Sequence, residues 1–168
     1  MFTLGQAVYT KNSGVCIIVA QEEKDFGVGV RKYFVLEPVY PKGQGVGTKT
    51  FISETTAANQ MRNLINKDNA LKWLDYIRKN EKFWIADAKA RKQKFEEIYI
   101  TGELNNICLL IKSLYLQNEE LKTQKKTLSM YEKEFLDKMT KDLLEELSIV
   151  LDETLANLQS QLEKTLNE

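Results

Sequence analysis

The chain has 168 residues, with 24 basic and 24 acidic side chains and a formal net charge of zero. Hydrophobic residues at 43% and charged residues at 29% describe an ordinary globular protein of one domain or two small ones, which excludes disorder throughout. There is no histidine, so no Ser-His-Asp or Cys-His nucleophile can form and no imidazole can bind a metal.

Punctuation divides the chain near residue 65. Both prolines, Pro38 and Pro41, and seven of the eight glycines precede residue 50; only Gly102 follows. Glycine-punctuated runs of β-formers followed by long unbroken stretches predict an α+β protein. The expected layout is a small β domain over residues 1–65 and an all-helical domain over 66–168.

In the first part, Gln6–Thr10 reads as a short strand and Gly14–Ala20 as an apolar, β-branched one. Glu22–Gly29 reads as a turn or hairpin, Lys32–Glu37 as the clearest strand, and Thr48–Ser53 as the last. Between them Gly43–Gly47 reads as a hairpin loop. Its Gly-x-Gly-x-Gly pattern lacks the lysine and hydroxyl of a phosphate loop. Four or five short strands in this length suit an SH3-like or Tudor-like barrel.

In the second part, Asn66 is placed to cap a helix whose apolar face is Ala70, Trp73, Leu74 and Ile77. A second helix is expected from about Trp84 to Ile100, stopped by Gly102. A third carries Leu104, Ile107, Cys108, Ile111, Leu114 and Tyr115, before a polar loop centred on Thr123. Ser129 and Glu132 form a capping box for a fourth helix. Its apolar pattern continues to Leu166. One helix from Met130 to Leu166 would measure roughly 55 Å, so the last residues are expected to pack elsewhere.

The neutral total hides an asymmetry. Residues 1–80 carry 11 basic and 7 acidic groups, residues 81–126 carry 9 and 7, and residues 127–168 carry 4 and 10. The front suits an anionic partner and the tail avoids one. No run approaches the ~18 apolar residues of a membrane span, and residues 1–4 carry no export signal. The expectation is a cytoplasmic protein without membrane contact. Cys16 and Cys108 are too few for a disulfide framework and wrongly spaced for zinc, so they read as buried thiols.

Trp84 stands beside Lys89, Arg91, Lys92 and Lys94. An aromatic among cations can wedge into or stack on DNA while the cations hold phosphates. On a continuous helix Trp84 would also align with Ala88, Arg91 and Phe95, so core packing stands beside the DNA reading. The cations have acidic neighbours, such as Glu96 four residues after Lys92, and a salt-bridged solvated face is the alternative. Lys122, Lys125 and Lys126 make a second, weaker patch. The acidic pairs Glu119–Glu120 and Glu145–Glu146 read as solvated surface. No catalytic triad, metal set or phosphate loop is present, and no enzyme and no cofactor are expected.

The order of these parts resembles the CarD/CdnL family of bacterial transcription regulators. Phe2, Gly5, Val8, Tyr9, Gly14 and Val15 keep the spacing of that family's opening. The likeness continues through Tyr33–Leu36, Met61-Arg62-x-Leu64-Ile65 and Asn69-Ala70. It extends through Trp84-Ile85 with Lys89 and Arg91, then Phe95-x-Glu97-Ile98, Thr101-Gly102-Glu103, Ile111-x-x-Leu114-Tyr115 and Lys126-x-Leu128-Ser129. It covers about residues 2–151 and says nothing about 152–168.

The resemblance implies a Tudor-like domain that docks on the β-subunit lobe of bacterial RNA polymerase, partly by strand pairing. It implies a helical domain that touches promoter DNA weakly at the upstream edge of the bubble and alters open-complex stability. Lys24, nine before Tyr33, matches a basic polymerase-contact position. A second contact position falls at Thr50 or Phe51, with Lys49 as the neighbouring cation. The DNA residues implied are Trp84, Lys89, Arg91, Lys92 and Lys94, joined by Lys125 and Lys126. The chain departs from the family's pattern at Gln6, Thr10 and Ser53. The competing reading is an adaptor protein that forms a homodimer through Leu151–Leu166, whose leucines are spaced as in a short coiled coil.

Overall fold

The computed structural model describes residues 1–41 and 47–168. The expected hairpin loop at Gly43–Gly47 falls, except for Gly47, outside the described residues. The chain divides into two units, Met1–Leu64 and Ile65–Glu168.

The first unit holds five antiparallel strands: β1 (Ala7–Thr10), β2 (Gly14–Asp25), β3 (Val30–Pro38), β4 (Thr50–Ser53) and β5 (Met61–Asn63), with a one-turn helix α1 (Ala57–Gln60) before β5. Their order across the sheet is β4-β3-β2-β1-β5. Among the described residues β4 pairs only with β3 and β5 only with β1, so the sheet is open. Alternation decides its two faces. Val8, Cys16, Ile18, Phe34, Leu36 and Ile52 point to one side and bury one another, with Met61, Ala57 and Phe2. The register slips between Ile18 and Ala20, a bulge at Val19 that lets β2 run to Asp25. β2 therefore continues through residues expected in a turn. The reversal is tight: the Asp25 carboxylate accepts from the Gly27 and Gly29 amides at 2.7 and 3.1 Å. Both glycines have positive φ.

The second unit is helical: α2 (Lys67–Ala70), α3 (Trp73–Lys79), α4 (Ala88–Ile100), α5 (Leu104–Thr123), α6 (Met130–Leu151) and α7 (Leu155–Leu166). Ile65 packs against its core. α5 is the central element, burying Leu104, Ile107, Cys108, Leu110, Ile111 and Leu114. Around it pack Trp73, Ile77, Phe95, Met139, Leu143, Leu147, Leu158 and Leu162. Among the described residues no helix is long and apolar enough to cross a membrane. Both cysteines are free and buried; burial raises both thiol pKa values, that of Cys108 to about 12.

Three helix expectations are corrected, and the expected break before the last residues is located. The helix capped by Asn66 is two pieces: the Lys72 amide bonds three residues back, to Asn69, and tightens the chain out of the α ladder. The helix expected from Trp84 begins only at Ala88, because Asp87 caps it, accepting from the Ala90 amide at 2.8 Å. The loop expected around Thr123 is helix. The reversal comes at Lys125, in the left-handed conformation at φ 57°, and the Lys126 amide reaches back to the Leu121 carbonyl at 2.8 Å. This is a Schellman stop made without glycine. The long pattern to Leu166 is broken in the same way by Asp152 at φ 54°, after which Thr154 caps α7. The final segment thus folds back. Leu158 and Leu162 are buried inside the unit, while Leu155 stays exposed.

Candidate functional site

In the first unit the residues implied by the resemblance collect around β4, one outer strand of the sheet. An outer strand offers unpaired backbone groups to another chain. On the face opposite the core, Phe51 stands across from Val35 and meets Phe26 edge-on, with ring centroids 5.6 Å apart. Phe26 also meets Tyr33 at 5.0 Å. The Lys24 ammonium lies 5.6 Å from the Phe51 ring centre and 3.1 Å from Glu22. Lys49 approaches Glu37 at 3.7 Å, and the Thr50 hydroxyl reaches Ser13 at 3.5 Å.

The structure thus brings Lys24 and Phe51 together. It adds residues that no sequence spacing singled out. Phe26 is 58% exposed at the hairpin tip, beside exposed Val28 and Val30. Arg31 stands directly across from Lys24 in the β2–β3 register. Like charges in such a pair repel, and an anionic partner relieves the repulsion. Phe26 was legible as an apolar residue inside an otherwise polar turn. Arg31 needed the register.

In the second unit the site forms where α4 meets the start of α6. Trp84 is half-buried in the non-helical stretch before α4, edge-on to Phe95 at 5.9 Å. The Arg91 guanidinium lies over its ring at 4.2 Å. Arg91 also donates from Nε and Nη2 to the Glu132 carboxylate at 2.8 and 2.7 Å. Its Nη1 donates to the Ile85 and Ala86 carbonyls at 2.6 and 3.1 Å. Those carbonyls are unavailable to a helix, which explains why α4 starts late. The Phe83 amide, donating to the buried Ser113 hydroxyl at 2.9 Å, anchors the other end of the stretch.

Glu132 has a second duty as the acidic member of the α6 capping box. Its carboxylate accepts from the Ser129 amide at 2.9 Å, and the Ser129 hydroxyl accepts from the Glu132 amide at 3.3 Å. Burial alone pushes the Glu132 carboxyl up. The Ser129 amide, the Arg91 guanidinium and the Ser129 hydroxyl outweigh that and hold it below the usual carboxylate range.

Arg91 thus acts as an internal tie, with its donors engaged inside the unit and its side chain largely enclosed. The other cations are exposed. Lys92 sits over the Tyr131 ring at 4.5 Å. The Tyr131 hydroxyl donates to Glu96 at 2.8 Å, so Glu96 serves the tyrosine instead of Lys92. Lys94 pairs with Glu97 at 3.3 Å. Lys89, Lys125 and Lys126 make no ion pair among the described residues. Lys89 and Lys92 share a face of α4, Lys94 lies on another, and Lys125 and Lys126 occupy the α5–α6 turn. Among the described residues no group of three acidic or cysteine side chains is placed to hold a metal ion.

No model of a known protein family matches the chain, and no curated protein matches it.

Proposed function

We propose that this chain is a bacterial transcription regulator of the CarD/CdnL kind. In this reading the first unit, a relative of Tudor-like domains, docks on the β subunit of RNA polymerase. The second touches promoter DNA weakly and changes the stability of the open complex. The observation that carries the reading is the outer strand β4, with Phe51, Phe26 and Lys24 gathered beside it. A short strand flanked by the exposed Phe26, the half-buried Phe51 and exposed cations suits pairing with a strand of another protein. The strand order, with β5 returning to the far side of β1 and a bulge in β2, supports kinship with a Tudor-like fold.

Lys89, Lys92, Lys125 and Lys126 are the cations offered to phosphate, and Trp84, held by Arg91, is the aromatic proposed to meet DNA. Few free cations suit a domain delivered by a tethered partner, because tethering supplies effective concentration that affinity then need not. Lys94 contributes less, being paired with Glu97.

The test is a titration of the labelled full chain against bacterial core RNA polymerase. Saturable binding that Lys24→Glu weakens about tenfold supports docking through β4. Absence of binding, or equal binding by the variant, overturns it. Trp84→Ala is expected to shorten open-complex lifetime while leaving polymerase affinity unchanged. An unchanged lifetime removes Trp84 from the DNA contact.

A further inference from the structure

The face formed by α5, α6 and α7 holds an open groove of about 710 Å³. Its floor is apolar, supplied by Tyr115, Leu136, Leu144, Leu155 and Leu166. Its lip is acidic. Asp137 on α6 and Glu163 on α7 are exposed along it. The one lysine lining it, Lys141, pairs with Glu145 at 3.8 Å. Residues 127–168 carry 10 acidic and only 4 basic groups, so the surroundings repeat the sign of the lip.

We propose that this groove is a docking site for a cationic amphipathic helix of a partner protein. The apolar floor asks for leucine-like side chains recurring at i, i+3 or i+4, and i+7. The walls are helices whose own backbone groups are bonded internally, so they offer no edge to an extended strand. A helix of about three turns matches the ~18 Å length of α7, which forms one wall of the groove. The acidic lip selects lysine or arginine flanking those apolar residues. The same carboxylates repel phosphates, so neither nucleic acid nor an anionic membrane is the occupant. This inference is independent of the polymerase reading and concerns the opposite sign of charge.

The test uses a fluorescein-labelled amphipathic peptide of leucine and lysine, about 14 residues long, titrated with the full chain at physiological salt. Saturable binding is expected, with no binding of the leucine–glutamate counterpart. The double variant Asp137→Lys/Glu163→Lys is expected to weaken binding about tenfold or more, as is Leu155→Glu. All three positions are exposed, and circular dichroism melting confirms that the variants fold. Three results overturn the proposal. One is unchanged affinity in both variants. Another is equal binding of the glutamate peptide. The third is a dimeric mass of the free chain that Leu155→Glu converts to monomer, which makes a second copy the occupant.

Discussion

Around β4 the cations stand in solvent; where α4 meets α6 the guanidinium is enclosed. The Lys24 and Lys49 side chains are 44% and 54% exposed and each has one loose acidic neighbour. Arg91 and Glu132 are each 11% exposed and share two short hydrogen bonds. Exposed pairs contribute about 0–1 kcal/mol, because water screens them and ordering long side chains costs entropy. An enclosed pair that loses one partner leaves a charge stranded. One region therefore keeps its charges available for a partner. The other uses its charge to hold a tryptophan in place.

The sharpest way to break this contrast is Arg91→Ala. It strands the Glu132 carboxylate and frees the Ile85 and Ala86 carbonyls, and about 4 kcal/mol of stability should be lost in urea unfolding. A loss below about 1 kcal/mol would place Arg91 with the surface cations. Next comes Leu158→Ala, expected to cost about 3 kcal/mol because α7 completes the helical core. A near-neutral result would mean that α7 detaches. Ser129→Ala should cost about 1 kcal/mol as a lost cap. Replacing the serine also removes one of the bonds that lower the Glu132 carboxyl, so its pKa should rise in an NMR titration.

Acid probes the same junction. The Glu132 carboxyl is depressed in the folded chain, so the unfolded chain binds protons first as pH falls. Its stabilising contribution is complete above the ordinary glutamate value of about 4.3 and is lost as pH drops through the folded value. Glu132→Gln should flatten that part of the stability profile. Smallest of all, Lys24→Glu should alter stability by no more than about 0.5 kcal/mol. A larger effect would mean that β4 and its hairpin depend on that cation for folding.

Much of the fold follows from local pattern. Val8, Cys16, Ile18, Leu36 and Ile52 lie in strands where alternation and β-branching announce them, and Asn66 and Ser129 cap helices in the expected way. The failures have more than one cause, and they include Glu145 and Glu146, expected as solvated surface but buried, with Glu146 accepting from the Ile65 amide. Lys125 and Asp152 stop helices in a conformation that glycine usually marks, so no residue type signalled the break. β5 is three residues long and exists because β1 lies beside it. At the candidate site, the exposure of Lys24, Lys89 and Lys92 was readable from composition. The role of Arg91 was not: it depends on carbonyls five and six residues earlier and on a carboxylate 41 residues later.

The stop at Lys125 has a consequence for engineering. A lysine held at φ 57° carries backbone strain of about 1 kcal/mol that glycine would relieve. Lys125→Gly should therefore raise the melting temperature of the helical unit by a few degrees, while deleting one of its free positive charges. At that turn, heat resistance and attraction for an anion are alternatives, and the chain carries the cation.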